Sequence, residues 1–373
     1  MATQRTFDIT ANGAVGDGIA DDWAAIQDAL QKASTANGCL YIPAGRYHCS
    51  HPLSLLGLRR NIAIRGDGQN VSILVATGGE NLLSLSFDQL GANQPWGLNL
   101  VDVSFRAVGR AGTAITVSYG NPAVTNDHFQ PSVVMRGVTV ASDHLGSWSN
   151  GIRVEAAWNV SMTDVYVSGH SFGGRWNELS GRGIQLDRMC VNSHFANVHC
   201  NFWAVGFCAH ASAGINTEGL FFSNCSMVAV KRGVWIAGDA GNRIAPRIST
   251  LTWTGGLIEC RVGGVLDGSA AFHLQNVWTA LIQGVQCITE TLTCPTTTYG
   301  IIAQDCNGLV VTGCDLNAWN RGVFTTGKCA GITVVGNTFT NTAEPVAFGS
   351  GCTSSKAHCN VRVDGAKVED IVV

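Results

Sequence analysis

The hydrophobic pattern of this chain repeats. The segments Asp102-Val103-Ser104-Phe105, Gly137-Val138-Thr139-Val140, Asp164-Val165-Tyr166-Val167 and Asn197-Val198-His199-Cys200 share one form. Asn224-Cys225-Ser226-Met227, Gly255-Gly256-Leu257-Ile258, Gly284-Val285-Gln286-Cys287, Gly313-Cys314-Asp315-Leu316 and Gly336-Asn337-Thr338-Phe339 follow it too. Each is a Gly, Asn or Asp followed by an inward, an outward and an inward position. Copies are 23 to 35 residues apart. The leading residue tolerates φ > 0 and marks a tight corner. The alternation that follows is that of a strand with one buried face. Self-similarity at this period is the signature of a solenoid.

A second strand recurs before each next corner. It reads Ala114 to Ser118, Gly151 to Glu155, Gly183 to Asp187, Gly206 to His210, Gly233 to Ala237, Gly263 to Asp267, Gly300 to Gln304 and Gly322 to Thr326. A third leads into the corner, as in Val160 to Thr163 and Leu309 to Thr312. Three short strands per coil, stacked coil on coil, predict an all-β parallel β-helix. No single coil buries its apolar face, so stacking must supply the core. A β-sandwich is the competing reading, but it would need hairpins between these runs. An open solenoid end must be covered. Trp23, Ile26, Leu30 and Ala33 lie on one helical face, with Asp21 as the expected N-cap, so a helix near residues 20 to 35 is expected to cap the stack. The expected organisation is an entry motif and capping helix over 1–37, the β-helix over 38–345, and a tail or last coil over 346–373.

Composition narrows the function classes. The 373 residues include 45 Gly and only 13% charged side chains, against about 7% and about 25% in ordinary globular proteins. Many corners and little helical surface explain both departures. A net charge of −3 gives no polyanion-binding signature, so nucleic acid is not an expected partner. No apolar run reaches 18 residues, so no membrane insertion is expected. No signal peptide is read at the start of the sequence, so either this stretch lacks one or the protein folds in a cytoplasm. A virion (phage tail) or extracellular location is expected, the virion favoured over a secreted wall-degrading lyase. Of 14 cysteines, Cys200, Cys225, Cys287 and Cys314 fall on inward columns and read as buried free thiols. Cys352 and Cys359 are the candidates for an exception. No CxxC pair supports zinc, and neither metal nor cofactor is expected.

The stretch from Gly13 to Leu30, followed by Leu40-Tyr41-Ile42-Pro43-Ala44-Gly45-Arg46-Tyr47, resembles the entry motif of the pectate-lyase-superfamily β-helix proteins. That superfamily holds polysaccharide lyases, glycoside hydrolases, sugar epimerases and phage tailspike depolymerases. The motif covers roughly residues 7 to 50, and the coil pattern carries the likeness to about 341. The resemblance implies a right-handed coil, a glycan groove along one strand face, and, for phage members, frequent trimers. Asp17, Asp21 and Asp22 within it read as structural.

In such proteins the Gly-hydrophobic strand lines the groove. Its outward side chains here are Thr116 and Ser118, Arg153 and Glu155, Gln185 and Asp187, Cys208 and His210, then Trp235. The row continues with Val265 and Asp267, Ile302 and Gln304, Phe324 and Thr326. Neighbouring loops add Asp143, His144 and Trp148, then His170, Arg175, Trp176, Glu178 and Arg182. Long loops on a rigid scaffold are where function tends to sit. Glu155 and Asp187 share a column on adjacent coils, about 4.8 Å apart in strand spacing. Retaining glycosidases hold their carboxyls about 5 to 5.5 Å apart and inverting ones about 6.5 to 9.5 Å. Glu155 and Asp187 are therefore the candidate catalytic pair, with side-chain splay able to widen the gap. The competing reading is a solvated pair salt-bridged to Arg153 and Arg188. Arg153, Gln185, His210, Trp235, Trp148, Trp176 and Arg175 are the candidate substrate-binding residues. His210 reads as a proton shuttle or as a plain exposed polar residue. Trp235 reads as a sugar platform or a subunit contact.

Three functions follow. The first is a tailspike-like depolymerase that hydrolyses a bacterial surface polysaccharide. The second is a lyase or epimerase acting on uronic-acid polymers, for which the row offers no dense aspartate cluster to hold calcium. The third is a spike or adhesin that only binds glycan. The outward apolar residues Val265, Ile302 and Phe324 suggest a homotrimer.

Overall fold

The structure, a computed structural model, describes residues 5–88, 96–120, 132–143, 146–169, 181–211, 217–238, 248–260, 268–289, 297–363 and 368–373. Two compact units are distinguished. The first comprises the described residues of Met1–Gly174 and Gly181–His194, and the second those of Phe195–Val373.

In the first unit, five row strands pair in parallel: Leu53–Leu58, Leu83–Phe87, Arg110–Tyr119, Ser147–Glu155 and Arg182–Asp187. Their register is what the alternation demands. Ile115 sits beside Ile152 and Ile152 beside Ile184, while Val117, Val154 and Leu186 form the next inward column. All six are fully buried. Two further stacks complete each coil. One runs Ile62–Gly66, Gly97–Val101, Ser132–Arg136, and the other Gly45–Cys49, Ser72–Ala76, Ser104–Ala107, Thr139–Ser142. The strand Val160–Ser168 is long enough to serve both. The glycine that opens a row strand is required by packing. A Cβ on Gly151 would meet the Gly183 carbonyl oxygen and a Val167 methyl, both at 2.4 Å.

The cap forms where the sequence places it, as helix α1, Trp23–Thr35. Ile26, Ala29, Leu30 and Ala33 are fully buried. Its N-terminus differs in detail from the expectation. Asp22, not Asp21, holds the N-cap position, with no side-chain cap bond. Its carboxylate instead accepts from the backbone N–H groups of Val15 at 2.6 Å and Gly16 at 3.2 Å, which folds the entry loop onto the helix. Asp21 accepts from Ser50 Oγ at 2.6 Å. The helix also closes the sheet edge. Gln27 donates to the Ser54 carbonyl and accepts from the Ser54 N–H, both at 2.8 Å. An amide thus takes the place of a missing strand on Leu53–Leu58, whose unpaired edge would otherwise invite association.

The second unit repeats the three-strand coil with greater regularity. Its row strands are Val205–His210, Arg232–Ala237, Ala270–Gln275, Tyr299–Gln304, Arg321–Thr326 and Glu344–Ala347, all parallel. Inward aromatic rings stack through it. Phe195, Phe222 and Trp253 lie 4.6 Å and 4.4 Å apart in succession, with Phe207 and Phe272 edge-on. Such contacts are worth about 0.5–1.5 kcal/mol each beyond area burial. The stack ends where Lys356–His358 pairs antiparallel with Ile371–Val372.

Every leading residue of the nine repeated segments has positive φ, from 51° at Asn224 to 66° at Gly255. The thirteen described cysteines are free, and eleven are buried. The four named on inward columns lie at 0–2% exposure. They are more than apolar filler. Cys225 and Cys314 donate to the carbonyls of Phe195 and Ile282 on the preceding coil, at 3.5 Å and 3.6 Å. The buried Asn337 does the same to Val311 at 3.0 Å. A thiol therefore stands in for the asparagine of a corner ladder. Burial pushes Cys225 up to about 11 and Cys190 up to about 12, so these thiols stay protonated donors.

Candidate functional site

The outward face of the first unit's row strands carries one concentrated group of charges. Register places Ser118, Glu155 and Asp187 in one column and Thr116, Arg153 and Gln185 in the next. Arg153 spans the two acids. Its Nε donates to Asp187 Oδ2 at 2.8 Å, and its terminal nitrogen pairs with Glu155 Oε1 at 3.5 Å. Arg188 Nε pairs with the same Glu155 oxygen at 3.2 Å. Gln185 donates its amide to Asp187 Oδ2 at 2.5 Å. The acid side chains are 16% and 13% exposed, against 41% for Arg153 and 55% for Arg188. Two recessed carboxylates are thus rimmed by two guanidiniums open to solvent. Arg188 holds its place through a left-handed corner, φ 58°, which turns the chain just past Asp187.

Both sequence readings of Glu155 and Asp187 meet here. The pair shares a column on neighbouring strands, and it is salt-bridged to Arg153 and Arg188. Three other expectations fall differently. Trp148, expected to face a ligand from a loop, lies within the strand Ser147–Glu155 at 1% exposure. Its large ring packs inward, and its indole N–H is satisfied by the Ala141 carbonyl at 2.6 Å, so it offers no face to a sugar. Gln185 is covered, at 8% exposure, and spends its amide on Asp187. Asp143 is engaged by Arg46 and Arg106. His144, His170, Arg175, Trp176, Glu178, Val265 and Asp267 lie outside the described residues.

The second unit's row face has another character. Its coil after Arg232–Ala237 contributes Ala270–Gln275 to the row, so the outward pair there is His273 and Gln275, where the sequence reading had placed Val265 and Asp267. Trp235 is flanked by His210, ring centroids 5.0 Å apart, and by His273 at 6.3 Å. Arg232 lies over the Trp235 ring at 5.1 Å. Burial, reinforced by Arg232, lowers the His273 imidazole to about 4. Cys208 occupies an outward position yet is fully buried. Gln275, Gln304 and Thr326 continue one column in register. Ile302 and Phe324 continue the next and are only half-buried, with Phe324 covered by Arg321 at 4.2 Å and Tyr299 at 5.5 Å. His273 and Arg232 were missed. The alternation of Ala270-Ala271-Phe272-His273-Leu274-Gln275 carried the signal, but the glycines at 263 and 264 drew the strand assignment upstream.

No group of three or more metal-ligating side chains occurs among the described residues, and no described helix is long and apolar enough to cross a membrane.

Stacked parallel coils, an N-terminal cap and a charged row define a right-handed parallel β-helix protein. The model of the rhamnogalacturonase A/epimerase, pectate lyase-like family matches residues 6–234, and the chain belongs to that family. A search of curated protein sequences finds no match. Among solved structures, a mannuronan C-5 epimerase A-module from Azotobacter vinelandii is similar with TM-score 0.62 at 16% identity, over 96% of this chain and 99% of that one. The pre-mature gene product 12 of bacteriophage phi29 gives 0.63 at 15%, over 95% and 52%. DFA-IIIase from Arthrobacter chlorophenolicus A6 gives 0.53 at 11%, over 89% and 94%. At such identities the likeness is one of fold.

Proposed function

We propose that this protein is a polysaccharide-active enzyme that hydrolyses a glycosidic bond with Glu155 and Asp187. The observation that carries the reading is their shared column on adjacent row strands, bridged by one guanidinium. Double-carboxylate hydrolysis needs two acids that reach one scissile bond from the same face. The fold it shares with an epimerase and a phage protein supports a glycan as ligand and a virion or extracellular setting. Trp235 and His210 of the second unit are proposed as a sugar-contacting surface, since aromatic faces and imidazole edges suit stacking and hydroxyl recognition. Assembly as a homotrimer belongs to the same proposal and is tested by light scattering at micromolar concentration.

A second reading is favoured by the solvent-open Arg153 and Arg188. They can pair with a substrate carboxylate, as β-elimination or C5 epimerisation of a uronic-acid polymer requires. One experiment separates the readings. The protein is incubated with capsule, lipopolysaccharide and polyuronate preparations, and reducing ends, ultraviolet absorbance and solvent-deuterium uptake are followed. Hydrolysis raises reducing ends alone. Elimination raises absorbance as well, and epimerisation incorporates deuterium without cleavage. Binding with none of the three leaves a glycan-binding spike.

A further inference from the structure

The second unit has a further outward face, on a sheet separate from the row. Its strands Thr217–Ser223, Ile248–Thr254, Val277–Gln283 and Asn307–Thr312 pair in parallel, and Glu218, Ser249, Trp278 and Asn307 form one outward column. The residue after each has positive φ: Gly219 at 65°, Thr250 at 63°, Thr279 at 60° and Gly308 at 70°. A left-handed residue interrupts the strand alternation, so two successive positions escape the core. Ser249 and Thr250 are both half-buried, and Trp278 and Thr279 are both exposed.

Two of these four corners break a rule of residue choice. The left-handed conformation brings Cβ against the following carbonyl oxygen, and a β-branched side chain suits it least. Glycine avoids the clash, and the coils on either side use it. Elsewhere among the described residues, positive φ falls on glycine or on side chains unbranched at Cβ. Thr250 and Thr279 are the exceptions, and they are neighbours on adjacent coils, about 4.8 Å apart in strand spacing. Packing does not call for the Thr279 methyl, which is exposed. Strain of this kind clusters where a side chain is needed for a task. What these two coils have that glycine would not supply is a pair of hydroxyls beside Trp278, itself 37% exposed.

We propose that Trp278, Thr250 and Thr279, flanked by Ser249 and Asn307, form a second carbohydrate-binding surface, distinct from the row, that holds one sugar residue of a glycan. The indole offers an apolar face to the C–H side of a pyranose ring. The hydroxyls and the Asn307 amide both donate and accept, which suits sugar hydroxyls. A protein interface needs a wider apolar centre and a nucleic acid a basic surface, whereas the one charge in this column is Glu218. The contribution of the surface is retention, because a polymer held at two places on one molecule dissociates more slowly.

The test is affinity electrophoresis in native gels cast with capsule, lipopolysaccharide or polyuronate preparations, paired with urea midpoints. Trp278→Ala should weaken retention about tenfold, the scale of one aromatic contact, and Trp278→Phe should keep most of it. The loss should also appear on top of Trp235→Ala, since the two surfaces lie on different sheets. The double variant Thr250→Gly with Thr279→Gly is more discriminating. Relief of the left-handed strain should raise its urea midpoint, while loss of two hydroxyls should weaken retention about tenfold. A purely structural pair would not give changes in opposite directions. Unchanged retention in the double variant, or a lowered midpoint, overturns the proposal. So does a wild type retained by none of the preparations. If Trp278→Ala leaves retention alone and instead lowers the mass found by light scattering, the face is a contact between copies and not a glycan site. None of these outcomes depends on cleavage, so the hydrolytic reading stands or falls separately.

Discussion

The row faces of the two units are built on the same strand register and present opposite chemistry. In the first unit the outward columns hold Arg153 with Gln185, and Glu155 with Asp187. In the second, the corresponding pattern holds Trp235, His273, Ile302 and Phe324 beside Ala237, Gln275, Gln304 and Thr326. The inward columns barely differ in kind, since both are buried and, Thr325 aside, aliphatic or aromatic. Packing thus fixes every second residue and leaves the other half free to vary. A solenoid can place a charged centre on one stretch and an aromatic surface on another without disturbing its core. Charges draw in counter-charges, and Arg153 and Arg188 answer Glu155 and Asp187. Rings draw in rings and guanidiniums, and Arg232 and Arg321 lie over Trp235 and Phe324.

The largest expected effect breaks the comparison at its charged end. Glu155→Gln and Asp187→Asn should each reduce turnover about a hundredfold or more, since acid–base assistance alone contributes about 10²–10⁴-fold. Glycan binding should persist in both. Trp235→Ala should do the reverse, weakening retention of the glycan in affinity electrophoresis about tenfold while kcat stays put. If Trp235→Ala costs turnover and spares binding, the division of labour between the faces is wrong.

The arginines sharpen the contrast energetically. Arg153→Met leaves two recessed carboxylates facing each other with one guanidinium between them fewer. Its cost should be about 1 kcal/mol, because Arg153 is half-exposed and solvent screens the pair. Adding Glu155→Gln to Arg153→Met should recover part of that loss. Glu155→Gln alone should destabilise slightly, since it gives up two ion pairs. Urea midpoints of the four proteins form the cycle, and strict additivity would show that Arg153 does not couple to Glu155.

How much of this was legible depended on which side of a strand a residue lies. Inward positions announce themselves by period, and corners by residue type. Asp102, Asp164, Asn197 and Asn224 all take positive φ. Glu155 and Asp187 were found because they are polar residues three positions beyond an inward Ile in consecutive copies. Trp148 was misread because an aromatic in a polar loop sequence looks ligand-facing, whereas the indole gains more by burial once Ala141 accepts its N–H. Gln185 looked like a ligand contact because sequence does not show that its amide reaches a neighbour two residues on. His273 was lost to a strand boundary, since flanking glycines hide where a coil's next strand begins. The hydrogen-bonding duty of the thiols was invisible for a related reason. Cys225 and Asn337 occupy one kind of corner position, but only the fold shows that a carbonyl awaits a donor there.

The smallest expected effect concerns that missed histidine. Burial and Arg232 hold the folded His273 near 4, whereas an unfolded histidine titrates near 6.5. Between these values the unfolded chain carries the proton and the folded chain does not. The second unit should therefore gain stability as pH rises through about 4 to 6.5 and hold the full contribution above 6.5. Falling pH removes it progressively, and below about 4 nothing further is lost through this group. His273→Gln cannot titrate, so its urea midpoint should depend less on pH in that window, by up to one proton taken up on unfolding. The first unit's row face carries no histidine among its described residues. A reporter there, such as fluorescence of the buried Trp148, should register no change in slope on the same substitution if the units unfold separately. Parallel pH profiles for wild type and variant on every probe would mean that His273 is solvated and charged as the pH falls. The aromatic surface around Trp235 would then be open to water rather than a dry platform.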